Sequence, residues 1–161
     1  MSRQRKARPR AKRYLQRPVS LPMTGAKRNE IALHMHAAFT GVAAGDLDSF
    51  DALANIINIA QLVMVNDDRF TREFRLANGA AMALIDIGRL IEGGVRPKEH
   101  HLAPVRVAVA AIDAVLPRMD MARLYAAQQL AVATLREQRA AVAAIQERKH
   151  GTGTTTDQPV A

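Results

Sequence analysis

One stretch constrains the fold more than any other: Asp68 to Glu92, DRFTREFRLANGAAMALIDIGRLIE. Phe70, Phe74, Ala77, Ala81, Leu84, Gly88 and Ile91 recur at alternating steps of four and three, and Leu76, Ala80, Ala83, Ile87 and Leu90 form a neighbouring line. A single apolar line marks a helix that rests on a core through one face. Two lines require partners on both sides, so the spacing predicts the central helix of a bundle with other helices wrapped around it. Gly79 lies inside this helix, where glycine costs ~1 kcal/mol relative to alanine. A close helix crossing at Gly79 is the expected reason.

The flanking segments continue the pattern. Thr24 is placed to cap a helix over about Ala26–Ala44, buried through Ile31, Met35, Ala38, Phe39 and Val42, and Gly45 supplies a left-handed stop. Asp48 with Asp51 three residues on resembles a capping box, with Asp in place of Glu. The helix it opens runs from about Ser49 to Val65 and is apolar around most of its circumference. Its remaining polar line, Asn55, Asn58 and Gln61, reads as a solvent side, with a polar recognition stripe as the alternative. Asn66, Asp67 and Asp68 turn the chain, and their charge suits the N-terminus of the next helix. Gly93 and Gly94 end that helix, and Val95 to Ala103 is a polar connection or a short helical turn. Pro104 is expected in the first turn of a fourth helix ending near Val115, where its missing N–H is harmless. Pro117 ends or kinks this helix. Asp120 caps a last one reaching about Lys149, ~45 Å long. That length exceeds what a bundle of this size needs. Arg136–Lys149 is therefore expected to project beyond the core or to pair with a second copy or another protein.

Composition narrows the class. The 161 residues suit one domain with tails, and 48% apolar residues suffice for a core. Aromatics are only 4%, so that core is aliphatic and rich in small alanines, which let helix axes approach closely. There is no Cys, which excludes disulfides, thiolate metal sites and thiol nucleophiles. The longest apolar run, Ile56–Val65, is interrupted by Asn58 and Gln61 and falls far short of the ~20 residues of a membrane span. The basic start is not followed by the apolar run of a secretory signal, and Pro9, Pro18 and Pro22 disfavour the helix of a transit peptide. A cytoplasmic protein without membrane association is expected.

The net charge of +8 belongs to one end of the chain. Residues 1–24 hold Arg3, Arg5, Lys6, Arg8, Arg10, Lys12, Arg13 and Arg17 and no acid, leaving 15 basic against 15 acidic residues in the remainder. Like charges and three prolines predict a disordered basic arm over 1–23, followed by a bundle over 24–149 and a Thr- and Gly-rich disordered tail over 150–161. The last part of the arm, Arg17–Pro22, is extended by proline restriction and placed to lie against the bundle. Arginine offers a planar bidentate donor for phosphate. The arm therefore points to nucleic acid, bound through its backbone and without sequence information, with Tyr14 available to stack on a base.

No constellation for catalysis emerges. His34 and His36 point about 200° apart on a helix and cannot share a metal. His100 and His101 lie in a connection and do not by themselves make a zinc set, which needs three or four ligands. Counted from Asp46, the sixth and twelfth positions of an EF-hand would be Asp51 and Ile57 instead of Gly and Glu, so capping explains these carboxylates better. There is no GxSxG and no phosphate-cradling glycine loop. A helix-turn-helix needs two short helices around a tight turn, and these helices are too long. No cofactor and no enzymatic activity are expected.

The stretch RPVSLPMTGAKRNEIALHMHAAF, Arg17–Phe39, followed by LANIINIAQLV, Leu53–Val63, resembles a group of small, mostly uncharacterised bacterial helical proteins found on mobile elements, some labelled Fis-family regulators. Fis-like proteins end in a helix-turn-helix, and the C-terminal helix of this chain departs from that arrangement. The resemblance implies a bacterial cytoplasmic accessory protein and carries over no site residues. Together these readings predict an all-α bundle of four or five helices. Its expected role is that of a non-enzymatic accessory or regulatory protein associated with nucleic acid, with a protein-binding adaptor or phage-type inhibitor as the alternative.

Overall fold

A computed structural model describes residues 20–151, without the side chains of 138, 139, 142 and 144–151. The arm residues Arg3 to Arg17 and the tail from 152 lie outside the described residues. Five helices make an all-α bundle: α1 Gly25–Ala44, α2 Leu47–Met64, α3 Thr71–Glu92, α4 Glu99–Val115 and α5 Met121–Gly151. Short 3-10 turns, Asp68–Phe70 and Leu116–Arg118, precede α3 and follow α4. The extended pairing among the described residues is a single bridge between Pro22 and Asp120.

Local chemistry sets the boundaries. The Thr24 hydroxyl accepts from the Lys27 N–H at 3.2 Å, and Gly45 stops α1 at φ 88°, where a Cβ would be strained. The cap of α2 is Asp46, whose carboxylate accepts from the Ser49 N–H at 2.8 Å, and not the Asp48–Asp51 pair. The helix accordingly begins at Leu47. The stronger correction concerns α4, which starts at Glu99 and carries Pro104 in its interior. Proline there removes one backbone hydrogen bond and crowds the carbonyl four residues back. The apolar line nevertheless extends upstream: Leu102 is buried with Val105, Val109 and Ile112. Burying such a side chain contributes ~2 kcal/mol, enough to offset much of that cost.

Packing places α2, and not α3, at the centre. α3 is flanked by α2 and α4, whereas α2 touches α1, α3 and α5. The wide apolar circumference of α2 thus reflects three helical neighbours. α3 keeps an exposed face through Asn78, Met82, Ile85 and Arg89. One core cluster unites Met35 and Val42 of α1, Leu53 and Ile57 of α2, Ile87 of α3 and Ile112 of α4. The close crossing is at Gly88 and not at Gly79. A Cβ on Gly88 would lie 2.8 Å from Phe50 Cζ, while one on Gly79 would meet open space. At the same end of the core, Arg96 of the α3–α4 connection donates to the Ala43 carbonyl at 2.8 Å and satisfies a carbonyl at the C-terminus of α1.

Arg123, near the start of α5, reaches Asp67, just past the end of α2. α5 therefore runs back along α2 in the opposite sense. At 18 residues α2 is about 27 Å long, and at 31 residues α5 is about 46 Å. The last helix outruns its support.

Candidate nucleic-acid interface and the neighbouring groove

The eight basic residues read as phosphate contacts, Arg3, Arg5, Lys6, Arg8, Arg10, Lys12, Arg13 and Arg17, all lie outside the described residues. The structure does describe the root of the arm. Ser20 to Met23 is an extended strap. The Leu21 N–H donates to Asp120 Oδ1 at 3.3 Å, and the Leu21 carbonyl accepts from the Met121 N–H at 2.8 Å. Asp120 also accepts from the Ala122 N–H at 2.8 Å and so caps α5, as its position in the sequence predicts. Burial opposes ionisation of this carboxyl, but the N–H groups of Ala122 and Leu21 outweigh it and lower its pKa.

The strap brings the arm to an end of the bundle that is rich in arginine. Asp67, with a side chain only 8% exposed, accepts from Arg69 at 2.6 Å and from Arg123 at 2.9 Å. Hydrogen bonding from Arg69, above all, holds the Asp67 carboxyl down at about 2, against the opposing effect of desolvation. The guanidinium carbons of Arg69 and Arg118 stand 5.3 and 5.4 Å from the centre of the buried Phe70 ring, within cation–π range. Arg118 is also 3.9 Å from Glu73. Each of these three arginines faces a carboxylate, Arg69 and Arg123 sharing Asp67 and Arg118 facing Glu73, so this end is an ion-paired cluster. Over the chain as a whole, everything after residue 24 sums to zero.

Three of the histidines, His36, His100 and His101, have local contacts. His36 Nε2 lies 3.3 Å from Asp113 and links α1 to α4. His101 Nδ1 accepts from the Lys98 N–H at 3.2 Å and closes the start of α4, and its ring lies 3.8 Å from that of His100. Sequence reasoning missed both roles: the His101 contact depends on the early start of α4, and the His36 contact joins residues 77 positions apart. Among the described residues no three His, Asp or Glu side chains gather into a metal-holding group. No described helix is long and apolar enough to cross a membrane.

A concavity of about 750 Å³ lies between α2 and α5. Asn55, Asn58 and Gln61 line it, so the polar line of α2 borders a groove, with Asn58 exposed and the other two half-buried. Phe74 of α3 and Leu130, Ala131 and Leu135 of α5 supply apolar walls. This feature was hidden in the sequence because its walls come from three helices. The overlong α5 and the polar line of α2 were the available signals.

The described residues thus define an all-α five-helix bundle with one ion-paired end and one open, half-apolar groove. Set against models of known families, curated proteins and solved structures, the chain matches none.

Proposed function

We propose that this chain is a non-enzymatic accessory or regulatory protein associated with nucleic acid, with a basic arm that contacts phosphates and a bundle that supplies docking. The observation that carries this reading is the charge distribution. The whole surplus of +8 falls in residues 1–24, while the rest of the chain is neutral. Charge of one sign in one segment serves a polyanion, and such binding is indifferent to base sequence. The ion-paired end of the bundle favours the same division of labour, because Arg69, Arg118 and Arg123 are engaged with carboxylates and leave phosphate contact to the arm. A bacterial mobile-element setting rests on the resemblance of Arg17–Phe39 and Leu53–Val63 alone.

The test is a salt titration of binding to mixed-sequence DNA and RNA, with the full chain beside a form lacking residues 2–17. A steep salt dependence that disappears with the arm supports the reading. Equal affinity of the two forms, or no binding by either at low salt, overturns it.

The groove between α2 and α5 favours a second reading, a protein-binding adaptor acting through the bundle. A complex with a protein partner that survives both high salt and removal of the arm would select it.

A further inference from the structure

α5 is 31 residues long, yet Ala127 is the last of its described side chains to be buried. Beyond it Leu130, Val132 and Leu135 are 54%, 38% and 45% exposed. In proteins most helical stability comes from tertiary packing of an apolar face, and these described distal side chains find little of it in their own bundle. The sequence carries a seam for that packing. Gln128, Ala131, Leu135, Gln138, Val142 and Ile145 follow one another at alternating steps of three and four, the spacing of a helix that pairs with another helix. The proximal part of this seam, Ala131 and Leu135, already lines the α2–α5 groove.

We propose that two copies of this chain associate through α5 in antiparallel fashion, the distal half of each α5 lying in the α2–α5 groove of the other. A two-fold axis between residues 136 and 137 sets Leu135 against Gln138, Ala131 against Val142 and Gln128 against Ile145. The same pairs repeat in reverse on the other side of the axis, as an isologous interface demands. The chemistry of groove and occupant agrees. Among the described residues that line the groove, Asp51 alone is charged, whereas segment 136–149 holds Arg136, Arg139, Arg148 and Lys149 against Glu137 and Glu147. In this register Leu130 and Ala131 of the groove offer apolar contact to Val142, and Asn55 offers an amide partner to Gln138. This inference names the partner of the docking half of the reading proposed above, on which it rests.

The experiment is sedimentation equilibrium of the full chain at high salt and without nucleic acid, so that its outcome is separate from that of the arm. The expected mass is twice the 17.6 kDa of one chain, falling to one chain in Leu135→Glu. Leu135 is nearly half exposed in the single copy, so the variant keeps its fold, which circular dichroism verifies. Register is read by disulfide formation, since the chain has no cysteine of its own. Ala131→Cys mixed with Val142→Cys should cross-link, whereas Ala131→Cys alone should not. In the proposed register two copies of residue 131 stand 11 helical residues apart, about 16 Å, and a disulfide needs Cα atoms within about 7 Å. A wild-type chain that stays single at high concentration, a Leu135→Glu variant that still pairs, or self-cross-linking of Ala131→Cys would each overturn the proposal.

Discussion

The Asp67 carboxylate holds Arg69 and Arg123 at once, at 2.6 and 2.9 Å, and so ties the turn before α3 to the start of α5. Arg123 lies 56 residues further along the chain, which makes this the ion pair that fastens the last helix to the bundle. Asp67→Ala should lower stability by about 1 to 2 kcal/mol, since it removes a cap and a charge-assisted pair together. The check is the urea midpoint of variant against wild type.

The same carboxylate predicts a pH dependence with a definite sign. Its folded value of about 2 lies below its ordinary 3.8, so the unfolded chain takes up the proton first. The stabilisation from Asp67 is complete above the ordinary value and is lost as pH falls from about 3.8 through about 2. Urea midpoints measured across that window should decline less steeply in Asp67→Asn than in the wild type. Identical slopes would show that other groups govern the acid limb.

Three glycines should respond differently to alanine. Gly79 lies in an exposed helix interior with nothing near its missing Cβ, so Gly79→Ala should raise stability by about 1 kcal/mol. Gly88→Ala drives a methyl against the Phe50 ring, and Gly41→Ala drives one against Ser49. Both should lower stability, by roughly 1 to 3 kcal/mol. Thermal or chemical melts of the three variants decide the order, and a destabilised Gly79→Ala would place a neighbour where none is seen.

Asp120 acts on both sides of the strap. Asp120→Ala should cost about 1 kcal/mol through loss of the α5 cap, and it should also loosen Leu21. Native-state hydrogen exchange at the Leu21 N–H is the specific readout, because loss of the cap alone would leave it unchanged.

For the arm, engagement of four to eight charges with phosphate should give a log–log salt slope of about −3 to −7. Replacing half of the arm's arginines and lysines with glutamine should roughly halve that slope while leaving helicity unchanged. A slope independent of the arm's charge would move the binding site onto the bundle.

Much of this fold can be read locally. Thr24, Gly45 and Pro117 each act within a few residues of their own position, as does Asp120 in its role as a cap, and each stands where its chemistry predicts. The misreadings are equally physical. Pro104 suggested a helix start because proline suits a first turn, but burial of Leu102 outweighed that preference. Gly79 and Gly88 are alike in sequence, and only the position of Phe50 on another helix separates them. Two apolar lines on α3 correctly required two partners. Centrality passed to α2 because a third neighbour, α5, arrives from the far end of the chain. The groove was illegible for the same reason, since its walls are distant in sequence, while the charge of the arm is legible from composition alone.

The strap at Leu21 also sets a length. Two backbone contacts, to Asp120 and Met121, hold it at an exposed site, and Met23 behind it packs against the core. A tug on the arm would be met first by those two contacts, which can part without unwinding α1, because Thr24 keeps its own cap at Lys27. Peeling stops at Met23. Each such release would hand the arm about three residues, roughly 10 Å of extra reach, at the cost of a local rupture and with no change in the bundle. For any ligand held by the arm, the joint would act as a short mechanical fuse between it and the helices.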